Sequence, residues 1–186
     1  KRKAEFKPDS TGGKWSGFLH MTNAQKDTWI KWGSYVAICV LLCMLQDVIM
    51  SKVHILGATT DLVVSAILLI TVMEGVEVGS LFVLVASMLY VFSGSSPGPH
   101  AIGFLSVIGI AAAVLRQSFW RRGFRSNALC AGLALLAYEL AIFGSGIFLG
   151  LTYWSRIGVF LLTWVLSFAV MLALYPLIRR IQKIGG

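Results

Sequence analysis

With 186 residues, of which 57% are apolar, 12% aromatic and only 13% charged, the chain carries more apolar surface than a water-soluble domain can bury. A soluble domain has roughly 25% charged residues, and here the mean hydropathy reaches +0.80 despite a polar first segment, so an ordinary soluble fold is excluded. Sixteen Lys and Arg against eight Asp and Glu give a formal charge of +8. In a soluble chain that surplus would suggest nucleic acid, but basic residues also mark the cytoplasmic ends of membrane spans. Cys39, Cys43 and Cys130 sit in apolar stretches without metal-ligand spacing, and they read as inert small apolar residues rather than a disulfide framework.

Residues 1–28 contain Lys1, Arg2, Lys3, Lys7, Lys14 and Lys26 with Pro8 and Gly12-Gly13 between them, the pattern of a flexible basic cytoplasmic tail. Met21 would itself serve as a start, so residues 1–20 read as an extension, and no cleavable signal peptide is expected. Residues 29–186 form the second unit, a transmembrane domain of six apolar runs at 32–50, 53–73, 76–93, 100–116, 127–153 and 157–178. Glu74 and Glu77 bracket Gly75, which places a tight turn with both carboxylates at the water boundary. Gly94, Pro97, Gly98 and Pro99 forbid helix continuation between the third and fourth runs. Asn127 is a candidate cap for the fifth helix.

Orientation alternates with each crossing, so Lys and Arg should gather on alternate sides of the membrane. Seven precede the first span if Lys31 is included. Four more fall between the fourth and fifth (Arg116, Arg121, Arg122, Arg125), and three close the chain (Arg179, Arg180, Lys183). Only Lys52 and Arg156 lie on the other side. A division of 14 against 2 predicts an all-α membrane protein with six transmembrane helices and both termini in the cytoplasm. Trp29, Trp32, Trp120, Tyr153 and Trp154 fall at predicted span ends, where their rings suit the headgroup region.

Chemistry-bearing motifs are scarce. There is no HExxH, no phosphate-binding Gly-rich loop with its Lys and no GxSxG elbow. His20, His54 and His100 fall in tails or loops, so neither an enzyme nor a metal or cofactor site is expected. Glu139, in the middle of the fifth run, is the deepest ionisable residue, and mid-bilayer charge costs a few kcal/mol or more. It must face protein or water, either as an interhelical hydrogen-bond partner, with Tyr90 and Tyr138 suitable by type, or as a proton relay or substrate ligand. Asp47 and Asp61 flank the first external loop, where Thr59, Thr60 or Asp61 could cap the second helix or the loop could meet an extracytoplasmic partner. Gly75 with Gly79, and Gly146 with Gly150, form two GxxxG spacings suited to close helix packing, internal or with a partner.

Taken in order, the LQ pair at Leu45-Gln46, the Gly57, Asp61, Leu62 spacing, Gly79 after a glycine turn, Ser93-Gly94, Gly98 with Ala101, a basic loop and the closing LYPLIRRI (Leu174 to Ile181) resemble MreD. MreD is the integral membrane protein of the bacterial rod-shape system, and the similarity covers roughly residues 30 to 183. Two positions depart from its pattern: Thr60-Asp61 stands where Pro-Asp is usual, and Tyr90 where an Asp often precedes Ser-Gly. The resemblance implies a non-enzymatic scaffold of the inner membrane that binds the single-span protein MreC and supports MreB, RodA and a penicillin-binding transpeptidase in lateral peptidoglycan synthesis. It also implies a bundle similar to the substrate-binding subunits of energy-coupling-factor vitamin transporters, and membership of such a transporter is the alternative. Candidate interface residues are Gly75, Gly79, Glu139, Asp61, Gly146 and Gly150. The candidate cytoplasmic basic face is Arg116, Arg121, Arg122, Arg125, Arg179, Arg180 and Lys183.

Overall fold

The computed structural model describes residues 23–50, 57–119 and 123–183. The tail before Asn23, Lys52, His54, Trp120, Arg121 and Arg122 lie outside the described residues. Six long helices follow one another: α1 (Asn23–Leu45), α2 (Leu62–Glu74), α3 (Val76–Phe92), α4 (His100–Phe119), α5 (Phe124–Phe148) and α6 (Ile157–Gln182). A five-residue π-helical turn, Gln46–Met50, extends α1, and a short 3-10 turn, Trp154–Arg156, precedes α6. The first helix begins inside the stretch read as tail, because Ala24 to Asp27 contains no Gly or Pro to stop it.

Four segments, Lys26–Val48, His100–Ser118, Phe124–Phe148 and Trp154–Gln182, are long and apolar enough to cross a membrane. The helices α2 and α3 are apolar but shorter. At 1.5 Å per residue, the 13 residues of α2 reach only about 20 Å, less than a bilayer core of about 30 Å. The expected span from residue 53 is thus interrupted: residues 57–61 are non-helical, with Gly57 at φ 84° and the β-branched Thr59 and Thr60 before Asp61. Two other boundaries also shift. Helix α5 starts at Phe124 behind Gly123, so Asn127 lies within its first turn and is not the cap. It stops at Phe148, which leaves Gly150 in the following turn, so the Gly146/Gly150 pair does not lie on one continuous helix.

The central post is α2. Twelve of its residues, Leu62 to Met73, are buried, and it contacts all five other long helices. Apolar side chains elsewhere point outward, among them Leu41, Met44, Leu81, Val85, Val107, Leu129, Leu133, Leu161 and Val165. This distribution suits a bundle whose solvent is lipid. Of the aromatics predicted at span ends, Trp29, Tyr153 and Trp154 are exposed, whereas Trp32 turns inward onto Tyr35 and Phe82.

The α2–α3 connection is a single residue, Gly75, at φ 91°, a conformation that disfavours a side chain. Four residues on, Gly79 packs so closely on the Thr71 main chain that a Cβ there would collide with the Thr71 carbonyl oxygen. The first GxxxG therefore serves internal packing. Replacing Gly79 by Ala should destabilise the fold by about 1–3 kcal/mol, since backbone cannot yield as a flexible side chain would. Gly33→Ala, where a Cβ meets nothing within 4 Å, should stay within about 0.5 kcal/mol of the parent. Thermal unfolding in detergent compares them, and equal midpoints would contradict the packing.

Candidate functional site

Inside the bundle, polar side chains from five segments converge. Glu139 on α5 is 4% exposed, and it lies beside Asp61. Glu139 is nine residues before the end of α5, and Ser167 ten residues into α6, so the cluster sits about 15 Å from the helix ends. Gln46 of the π-turn approaches Asp61 Oδ1 through Nε2 at 3.5 Å and accepts the Val63 N–H at 3.1 Å. The Asp61 N–H donates to Ser167 Oγ at 2.8 Å. Ser65 Oγ donates to the Asp61 carbonyl at 2.7 Å and lies 3.1 Å from the Ser167 carbonyl. Tyr90 and Tyr138, both 0% exposed, bring their hydroxyls beside Asp61 and each other.

Asp61 occupies the cap position of α2, one of the places expected for it, yet makes no side-chain capping bond; its Oδ1 meets Gln46 Nε2 at 3.5 Å. The fold brings two acids together that lie 78 residues apart in the chain. Tyr90 and Tyr138, the partners expected for Glu139 by type, are both fully buried in this cluster, and neither hydroxyl makes a hydrogen bond to it.

A second polar region lies at the opposite end. A cavity of about 740 Å³ is lined by Lys31, Glu74, Glu77, Arg116, Asn127 and Arg179, among others, so α1, the α2–α3 turn, the α4–α5 junction and the end of α6 share one end of the bundle. Glu74, expected at the water boundary with Glu77, instead turns inward. It pairs with Lys31 Nζ at 2.7 Å and accepts a hydrogen bond from Tyr35 Oη at 2.6 Å where it lines the polar cavity, while Glu77, which lines the same cavity, stays exposed. Arg116 is also not part of a solvated basic face: it is 8% exposed, and its Nε donates to Asn127 Oδ1 at 3.0 Å. Arg125, Arg179, Arg180 and Lys183 are exposed, as expected. Gln182 Nε2 donates to the Met73 carbonyl at 2.8 Å, which ties α6 to the end of α2.

Two further cavities face outward and are apolar. One of about 480 Å³ runs between α4 and α5, lined by Ile108, Ala111, Ala112, Leu115, Cys130, Leu133, Ala134 and Ala137. The other, about 170 Å³, lies between α1 and α3 against Trp32, Cys39, Phe82 and Ala86. Sequence reasoning missed the first, although its alternation of Ala and Cys on facing helices is the available signal. Among the described residues no group of His, Cys, Asp and Glu could hold a metal through three such ligands.

Lys31→Met leaves the Glu74 carboxylate buried without its cation and should destabilise by about 3 kcal/mol. Adding Glu74→Gln should restore most of that loss. A double variant no more stable than Lys31→Met, measured by thermal unfolding, would contradict the ion pair. Compared with protein-family models, curated proteins and solved structures, the chain matches none.

Proposed function

We propose that the chain is a non-enzymatic membrane scaffold of the bacterial cell-shape machinery that binds the single membrane helix of an MreC-like protein. Six crossings with both termini in the cytoplasm, and a bundle similar to the substrate-binding subunits of energy-coupling-factor transporters, belong to the same proposal. In it the short α2 and α3 cross as members of the bundle, and α2 is sheltered from lipid. The basic residues at the end shared by α1 and α6 then lie against anionic headgroups, each contributing about 1 kcal/mol of attraction.

The observation that carries the reading is the α4–α5 groove. It is apolar, open to the outside and floored by small residues, so a helix can approach closely along Ala111, Ala134 and Ala137. Lipid tails supply no hydrophobic drive between helices, and close packing has to supply the affinity. The partner's helix would replace acyl chains there, while its periplasmic part remains free to reach the wall-synthesis enzymes. In the transporter alternative the chain would hold a vitamin in a polar pocket reached from outside. The interior polar cluster is packed against itself, and none of the three cavities described above is lined by Asp61 or Glu139.

Ala111→Phe and Ala137→Phe fill the groove from exposed positions that the bundle core does not use. Each should lower co-purification with co-expressed MreC at least about tenfold, equivalent to about 1.4 kcal/mol, without changing the unfolding midpoint. Undiminished capture of MreC by both variants contradicts the groove, and nanomolar vitamin binding by the isolated chain contradicts the scaffold reading.

A further inference from the structure

The polar cavity at the Glu74 end is larger than its ion pair needs. Its volume of about 740 Å³ falls within the range of roughly 300–1,000 Å³ typical of small-molecule sites, and all six long helices contribute to its wall. Among the described residues, five charged side chains line it: Lys31, Glu74, Glu77, Arg116 and Arg179. Lys31 and Glu74 neutralise each other at 2.7 Å, so two guanidinium groups stand against the carboxylate of Glu77, a surplus of one positive charge. A cation near the end of a helix is held by the helix dipole alone. Burial of that cation beside an open cavity asks for more. Arg116 is 8% exposed, and Asn127 Oδ1 fixes its Nε at 3.0 Å where the residue borders the cavity. Helix α5 also starts at this wall, with Gly123 and Phe124, and its first turn has neither an acidic residue nor a side-chain cap bond. Guanidinium forks and the main-chain N–H groups of a helix start are the donors that phosphate oxygens accept from.

We infer that this cavity binds one phosphate group, carried by the headgroup of an anionic phospholipid or by a soluble phosphate compound. Arg116 receives it on the buried side and Arg179 on the exposed side, while Glu77 opposes it. A phosphate diester carries a single negative charge, which matches the surplus on the wall. The lipid source fits the rim better. Val78 and Phe124, which also line the cavity, are apolar and 38% and 49% exposed, so acyl chains would cover them where a soluble phosphate would leave them in water. Basic pockets between membrane helices hold lipid headgroups in this manner. The inference takes from the proposed function only that the helices lie in a membrane. The partner's helix would sit in the α4–α5 groove, so headgroup binding and MreC capture can fail separately.

The test is thermal unfolding of the purified full chain in a nonionic detergent, followed by tryptophan fluorescence, with dioleoylphosphatidylglycerol, dioleoylglycerol or inorganic phosphate titrated at constant ionic strength. Phosphatidylglycerol should raise the midpoint saturably, and dioleoylglycerol, which lacks the phosphate, should not. Arg179→Gln changes an exposed residue, so it should keep the lipid-free midpoint and weaken phosphatidylglycerol by about tenfold. Arg180→Gln removes the same charge one residue on, outside the cavity, and should leave the affinity unchanged. Glu77→Gln takes a like charge off the wall and should tighten binding by about threefold. A saturable response to inorganic phosphate that Arg179→Gln weakens and Arg180→Gln does not keeps the site and assigns it to a soluble phosphate compound. No response to either phosphatidylglycerol or phosphate overturns the inference. So do a response to dioleoylglycerol as large as that to phosphatidylglycerol, and equal losses in Arg179→Gln and Arg180→Gln, which would mean diffuse attraction to the basic surface.

Discussion

Everything in this bundle is arranged around one constraint: a helix too short to cross a bilayer alone stands at its centre, and the residue just before it, Asp61, carries a carboxyl group. Because α2 is enclosed by all five other helices, the backbone and side-chain polar groups at its broken start must find partners inside protein. Gln46 reaches the Val63 N–H, Ser167 takes the Asp61 N–H, and Ser65 doubles back to the Asp61 carbonyl. The first two join the turn after α1 and helix α6 to the same point, and the third closes the start of α2 on itself. The carboxyl pair of Asp61 and Glu139 is therefore also the junction of α1, α2, α5 and α6.

The far end of α2 is secured by another chemistry. There Lys31 and Tyr35 from α1 hold Glu74, and Gln182 from α6 holds the Met73 carbonyl. The ion pair at that end stands beside a polar cavity, whereas the inner end is tied by hydrogen bonds of Gln46, Ser65 and Ser167. Between the two, α2 presents only apolar side chains apart from Ser65 and Thr71, and each of these returns a hydrogen bond to backbone. Two polar ends and an apolar middle fix the depth of α2, which leaves α4 and α5 free to offer a small-residue groove to the outside.

Much of this was legible in the residues, and the rest was hidden for identifiable reasons. The six apolar runs, the Gly75 turn, the SGSSPGPH break and the requirement that Glu139 face protein all follow from composition and backbone chemistry. That α2 is buried on every side does not, because LVVSAILLITVM is uniformly apolar and has no period to separate a lipid face from a protein face. The shortness of α2 was masked by an apolar run that continues through residues 53–58, where hydropathy is high but Gly57 bends the chain. Asp61 and Glu139 are far apart in the chain, and their meeting is a property of tertiary packing that no local signal records. Arg116 was assigned by its charge to a basic face, and only the position of Asn127 on the neighbouring helix explains why it folds inward.

The meeting of Asp61 and Glu139 is most directly tested by cysteine cross-linking within the intact chain. In a background with Cys39, Cys43 and Cys130 replaced by Ala, cysteines at positions 61 and 139 should form an intramolecular disulfide on mild oxidation, identified by mass spectrometry of the joined peptides. A cysteine pair at Asp47 and Ser95, whose side chains meet at 2.6 Å, serves as the positive control. A disulfide at 61 and 139 as complete as the control is the expected result. No link there while the control pair closes would contradict the buried junction on which this account of the molecule stands.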